Sequence, residues 1–189
     1  MAKIVVIVGS VREERHGIKV AKWIAKKITR KKHDVSIVDH AELNLPLLDK
    51  MYKEMKDPSE KLESLQKTLA EADGYVPVTP EYNHSISAAL KNTLDYFLEE
   101  YFFKPFAIVS YSVGSFGGVV AANHSRQILA EMGAPVIPSQ FPISKVHEAF
   151  DESGNLVDTN YDRRVARFLD EFDWYVEAMQ KQRKIGTPY

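Results

Sequence analysis

The stretch Asp73–Phe97, DGYVPVTPEYNHSISAALKNTLDYF, constrains this chain more than any other. It opens on Tyr75-Val76-Pro77-Val78, a short run of aromatic and β-branched residues that reads as a buried strand. It breaks at Thr79-Pro80-Glu81-Tyr82-Asn83, where Pro80 fixes its own φ and keeps Thr79 extended. It resumes as a helix, with Ser85 expected as the N-cap and Ala89, Leu90, Leu94 and Phe97 at helical spacing. A strand, a tight loop and a helix in this order place loop backbone at the carboxyl edge of a parallel sheet, where open α/β sheets bind ligands. Pro77 is the awkward residue, because it removes a ladder hydrogen bond from a central strand, so a bulge or an unpaired position is expected there.

The rest of the chain repeats the alternation. Ile4–Val8 is an unbroken β-branched run ended by Gly9, and a helix follows with Val20, Ala21, Ile24 and Ile28 on one face. Val35–Val38 reads as a second strand. After a loop over 43–57 comes a helix with Pro58 in its first turn and Leu62, Leu65 and Leu69 inward. Phe106–Val109 reads as the fourth strand, a helix is expected from Val119 to Met132, and Gly133–Pro138 reads as a short fifth strand. Residues 139–158 look irregular, and the last helix carries Val165, Phe168, Leu169, Phe172, Val176 and Met179 on one stripe. Five strands alternating with helices argue for a parallel sheet covered on both faces, and with no linker or repeat the 189 residues are expected to form one domain, 1–189. A formal net charge of −1 gives no electrostatic reason to expect nucleic acid or a membrane surface. The absence of cysteine excludes disulfides, thiolate nucleophiles and cysteine metal sites. The first apolar run is too short for a signal peptide or a membrane span, so a cytoplasmic location is expected.

The words GSVR after the first strand, PEYN and LKNTLD around the third, and GSFGG before the fourth long helix resemble the NADPH-dependent FMN reductase family. The resemblance implies a flavodoxin-like α/β/α fold with a five-stranded parallel sheet in the order 2-1-3-4-5. It also implies FMN as cofactor, NAD(P)H as co-substrate, and transfer of hydride through the flavin to flavin, quinone, azo or similar small-molecule acceptors. In such enzymes the cofactor supplies the reactivity and the protein supplies position and electrostatics, so no catalytic side chain and no metal ligand is expected. The rival is a flavodoxin-like electron carrier without nicotinamide turnover. Carriers are commonly acidic and hold phosphate with a Ser/Thr-rich loop, whereas this chain is near neutral and carries two arginines there.

Three loops then share one sheet edge. Gly9–Gly17 supplies Ser10, Arg12, Arg15 and the start of a helix near Gly17: hydroxyl, charge-assisted donors and helix amides, which together suit a phosphate monoester. In Thr79–Ser85, Pro80, Glu81, Tyr82 and Asn83 would aim main-chain groups at the polar rim of a flat heterocycle, with Tyr82 as a wall. Glu81 is expected to be a solvated carboxylate rather than an acid catalyst, and His84 an exposed turn residue. In Ser110–Gly118, Ser112, Gly114, Ser115 and Gly117 join the expected flavin site, with Gly114, Gly117 and Gly118 allowing positive φ and close backbone approach. Other motifs fail: GSFGG is neither a dinucleotide fingerprint nor a Walker loop, Ser112 and Ser115 lack a nucleophile elbow, and the six histidines show no i,i+4 metal pair. Finally, residues 96–103 hold five aromatics in eight positions, more than a helix end readily buries. A homodimer or a dimer of dimers through residues near 86–106 is therefore expected, as the family resemblance also implies.

Overall fold

A computed structural model describes all residues, 1–189. The strands β1 (Lys3–Val8), β2 (Asp34–Asp39), β3 (Gly74–Pro80), β4 (Val109–Tyr111) and β5 (Phe141–Ile143) form one sheet in the order β2-β1-β3-β4-β5, every pair parallel. The alternation of β1 decides the layers. Ile4, Val6 and Val8 face one core with α1 (Gly17–Arg30) and α7 (Asn160–Ile185), while Val5 and Ile7 face the other with α3 (Glu60–Glu71), α4 (Ala88–Asp95) and α5 (Val119–Glu131). Two short helices complete the fold, α2 (His40–Leu43) and α6 (Val146–Ala149). No helix is long and apolar enough to cross a membrane.

The two prolines in the sheet explain where the expected strands moved. Tyr75 exchanges both its backbone groups with the fourth strand, N–H to Pro105 O at 3.0 Å and O from Ala107 N–H at 2.9 Å. By alternation Pro77 also faces that side, so its missing N–H interrupts the ladder after Phe106, and regular pairing resumes only at Val78↔Val109. The fourth strand is thus Val109–Tyr111 with an isolated bridge at Phe106, rather than Phe106–Val109. The fifth strand is Phe141–Ile143, and Gly133–Pro138 contributes only the bridge of Val136 to Phe106. Phe141 donates to Ile108 O, so the neighbouring Pro142 turns its nitrogen to the free edge of the sheet, where no donor is required.

Three further expectations shift. Pro58 precedes the N-cap of α3, which is Ser59. Ser85 closes a turn, and the N-cap of α4 is Ser87, whose Oγ accepts the Leu90 N–H at 3.1 Å. The aromatic run is mostly absorbed by the chain itself: Tyr96, Phe97 and Tyr101 are buried, and the half-buried Phe102 and Phe103 pack on Tyr189. Tyr75 lies beneath it, stacked on Phe106 and edge-on to Tyr101, so the run closes a core rather than forming an aromatic patch. Beside it Lys104, only 8% exposed, donates from Nζ to Leu69 O at 3.1 Å and Ala70 O at 2.7 Å, closing the carboxyl end of α3. Burial, with Arg183 nearby, pulls its pKa from 10.5 down to about 8.

Candidate functional site

The first loop leaves the sheet at Gly9, whose N–H donates to Val78 O at 2.9 Å. A Cβ at Gly9 would stand 2.9 Å from that carbonyl and 3.3 Å from Pro80 Cδ, so only glycine permits this approach of β1 to β3. The Ser87 hydroxyl donates to Gly9 O, tying the cap of α4 to the same point. Ser10 is buried, with Oγ 2.8 Å from the Tyr82 hydroxyl. Gly17 lies against the Tyr111 phenol, leaving no room for a side chain. Burial holds the Tyr111 hydroxyl well above the usual phenol range. Arg12 is exposed. Arg15 is largely covered, its Nη2 donating to Asp39 Oδ2 at 2.5 Å, and its Nε is buried without a partner.

The second loop is a tight hairpin. Tyr82 and Ser85 exchange backbone hydrogen bonds of 3.0 and 3.1 Å around Asn83 and His84, both at positive φ (50° and 62°), the pattern of a type I′ turn. His84 is exposed, as expected of a turn residue, and Ser85 Oγ lies 2.9 Å from His124 Nδ1. Glu81 departs from expectation. Its Oε2 accepts from Val120 N–H at 3.0 Å and Ala121 N–H at 3.1 Å, so the carboxylate sits on the amino end of α5 instead of in free solvent. The N-cap position of α5 is Gly118, which has no side chain to offer, and Glu81 supplies the missing acceptor from another strand's end.

In the third loop Gly117 and Gly118 take positive φ (64° and 79°), whereas Gly114 does not. Ser110 donates to Gly117 O at 2.8 Å and Ser112 to Gly114 O at 3.2 Å. The Ser144 hydroxyl donates to Ser115 O at 2.7 Å, and Val146 N–H reaches Ser112 O, so the approach to α6 braces the loop from behind. Val113 and Phe116 stand 66% and 80% exposed, an apolar rim that the glycine pattern alone did not reveal.

Between the loops lies a cavity of about 640 Å³. Ser10, Arg12, Arg15, Pro80, Glu81, Tyr82 and Ser112, all anticipated from the sequence, line it. Gly17, the first residue of α1, and Asn83, Gly114, Ser115 and Gly117, in the supporting turns, were anticipated with them and stand outside the lining. Glu13, Glu14, His16, Tyr111, Val113 and Val146 also line it and were not anticipated. Tyr111 could have been found, as an aromatic at the end of the fourth strand beside a glycine-bearing loop. Val146 could not, because the sequence gives no reason for residues 139–158 to return to this edge. The His16 pKa is lowered by burial and by nearby Lys19 and His147. Hydroxyls and guanidinium groups in one lining with Pro80, Tyr82, Tyr111 and Val113 suit a flat heterocycle carrying an anionic tail.

The sheet order is that of a flavodoxin-like α/β protein, and the family match places the chain in the flavin-dependent oxidoreductase class. The chain belongs to the NADPH-dependent FMN reductase family, whose model matches residues 2–148. It is 35% identical over 153 residues to an NADPH azoreductase of Bacillus sp. (strain OY1-2), covering 80% of this chain and 82% of that one. It is 30% identical over 180 residues to a 2-hydroxy-1,4-benzoquinone reductase of Burkholderia sp., covering 92% and 96%. Among solved structures, FerB, a flavoenzyme NAD(P)H:(acceptor) oxidoreductase from Paracoccus denitrificans, shares the fold with a TM-score of 0.72 at 21% identity, covering 96% of this chain and 98% of that one. A flavodoxin from Pseudomonas aeruginosa superimposes more loosely, with a TM-score of 0.57 at 14% identity over 90% and 99%. The protein is accordingly an oxidoreductase of the FMN reductase type, with FMN as flavin and NAD(P)H as reductant.

Proposed function

We propose that the cavity holds FMN with its phosphate in the Gly9–Gly17 loop and its ring between the second and third loops, and that NAD(P)H and acceptor use one site in turn. The observation that carries this reading is Arg15, which lines the cavity with Arg12 and Ser10 and whose Nε is buried without a partner. A buried guanidinium N–H without an acceptor is rare, and a phosphate oxygen is the acceptor it matches best. Bound FMN supplies the redox chemistry. Ser10, Arg12 and Arg15 bind its anionic end, the rigid Pro80–Asn83 hairpin and the Ser112–Gly117 backbone fix the polar rim of the ring, and Tyr82 shields one side. No side chain is asked to move a proton.

The acceptors of the relatives, azo compounds and quinones, are flat and conjugated. A planar partner stacked on an open ring face, with the apolar rim of Val113 and Phe116 beside it, accounts for such a range without dedicated polar contacts. A cytoplasmic location and a homodimer or dimer of dimers through residues near 86–106 belong to the same proposal. The support left for self-association is the family resemblance, because Tyr96, Phe97 and Tyr101 are buried and Phe102 and Phe103 pack on Tyr189. A monomer mass in light scattering at micromolar concentration would count against it.

The direct experiment is a flavin titration. Wild-type protein is expected to bind FMN more tightly than riboflavin, and Arg12→Ala to weaken FMN by roughly ten- to hundredfold, the worth of one charge-assisted contact. Equal affinity of the wild type for the two flavins would remove the phosphate from this reading.

A further inference from the structure

We propose that Asp39 is a positioning residue for FMN: it acts through Arg15, holding the guanidinium in the orientation that presents Nε–H to the phosphate. The inference rests on the reading above that the phosphate sits in the first loop.

The ladder between β1 and β2 pairs Val8 with Asp39, so β2 ends beside the point where the first loop leaves the sheet. The Asp39 side chain is 5% exposed, and a carboxylate so buried requires partners for its charge. It has two. Oδ1 accepts the Ala41 N–H at 3.1 Å, capping α2, and Oδ2 accepts from Arg15 Nη2 at 2.5 Å. Burial brings the neighbouring His40 down to about 4, so at pH 7 its ring is neutral and does not compete for the carboxylate.

A guanidinium is a rigid planar fork, so fixing one terminal nitrogen on a buried carboxylate restricts the plane of the whole group. Arg15 lines the cavity and Asp39 does not, so the carboxylate can act on a ligand there only through the arginine. A pair serving only the scaffold would be expected to use the arginine's donors on the scaffold. Here Nε is left buried and unsatisfied. The alternative partners are close: Glu13 and Glu14 also line the cavity, and an unanchored Arg15 could swing to either. Asp39 would prevent that, and the benefit is preorganisation, since the arginine need not be ordered when the ligand arrives. FMN and riboflavin differ only in the phosphate, so Asp39 becomes a determinant of which flavin is accepted.

The test uses Asp39→Asn, because asparagine caps a helix as well as aspartate while withdrawing the charge from Arg15. Flavin fluorescence is titrated with wild type, Asp39→Asn, Arg15→Met and the double variant, using FMN and riboflavin separately. Asp39→Asn is expected to weaken FMN about tenfold and leave riboflavin within about twofold. The double variant should bind FMN no more weakly than Arg15→Met alone, the signature of a residue acting through another. Unchanged or tighter FMN binding by Asp39→Asn, an equal loss for both flavins, or losses that multiply in the double variant would each overturn the proposal. Asp39→Ser, a second capping residue without charge, guards against a folding defect, and if neither variant folds Asp39 belongs to the scaffold and the proposal fails. A wild type that does not separate FMN from riboflavin defeats the phosphate reading itself. A wild type that separates them, with Asp39→Asn doing so equally well, defeats only this inference.

Discussion

Raising the pH from 8 to 10 is expected to stabilise this protein, and Lys104 is the reason. Burial lowers its pKa from 10.5 to about 8 in the folded chain. Below pH 8 both folded and unfolded chains carry the ammonium, and the cost of burying it is present in full. As the pH rises the folded chain loses the proton first, so the unfolded state binds more protons and stability climbs. Integrating between pH 8 and 10 gives about 2 kcal/mol, from 1.36 kcal/mol per pKa unit. The window has no cysteine to titrate within it, but the unfolded tyrosines begin to ionise before its upper end and take back about half of the gain by pH 10. It closes near pH 10 for a reason of opposite sign. Burial raises the phenols of Tyr75, Tyr101 and Tyr111, so above pH 10 the unfolded chain ionises first and stability falls again. Urea denaturation at intervals across pH 7–10.5 reads the effect. With a slope of about 2 kcal/mol/M, the midpoint should move upward by roughly 0.5 M between pH 8 and 10 once the tyrosines are subtracted. Lys104→Met should flatten that rise while keeping the fall above pH 10. A flat wild-type profile, or the same rise in Lys104→Met, would refute the assignment of the cost to this ammonium.

Glu81→Ala should lose about 1–2 kcal/mol in the same denaturation assay, because it uncovers two amides of α5. Glu81→Gln, which keeps an acceptor, should retain turnover within about tenfold, less than general acid–base catalysis supplies; a thousandfold loss would make Glu81 a catalyst. Gly9→Ala should cost about 1–3 kcal/mol, because its Cβ meets the Val78 carbonyl at 2.9 Å. Gly114→Ala, whose Cβ would meet only Ser112 Oγ at 3.8 Å, should stay within about 0.5 kcal/mol, and equal losses in the two would refute the packing argument. Steady-state kinetics should give parallel double-reciprocal lines, with excess NAD(P)H inhibiting competitively against acceptor; a demonstrable ternary complex would overturn the single-site mechanism.

The sequence made the β-branched strands and the inward stripes of α1, α3 and α7 legible, because burial on both faces of a parallel sheet leaves so plain a pattern. It misplaced the fourth and fifth strands for one reason. A proline's effect depends on which side its nitrogen faces, and Pro77 toward β4 breaks a ladder while Pro142 toward the free edge breaks none. Strand order came from family likeness, since periodicity says nothing about neighbours. The first-loop residues were legible because hydroxyl, arginines and helix start are contiguous. Glu81 on α5 and Asp39 on Arg15 were not, because each joins residues far apart in the chain. The serines at 85 and 87 were indistinguishable as caps until the Tyr82–Ser85 hairpin claimed the first. The aromatic run misled because composition counts rings and not the volume waiting beneath them.

The junction at Gly9 has a consequence for anyone who would remodel this enzyme. Val78, Ser87 and Tyr82 all bond to Gly9 or Ser10, so the first loop and the hairpin are mechanically one part. The Ser112–Phe116 loop is braced by the approach to α6 behind it, and the Glu81 carboxylate of the second loop ties the start of α5 to the hairpin as well. Grafting the first loop from a homologue without its matching hairpin would import a misfit at Gly9. The third loop, with its solvent-facing Val113 and Phe116, would likewise have to be exchanged together with Glu81. All three loops are thereby one mechanical unit, and a graft has to carry them together.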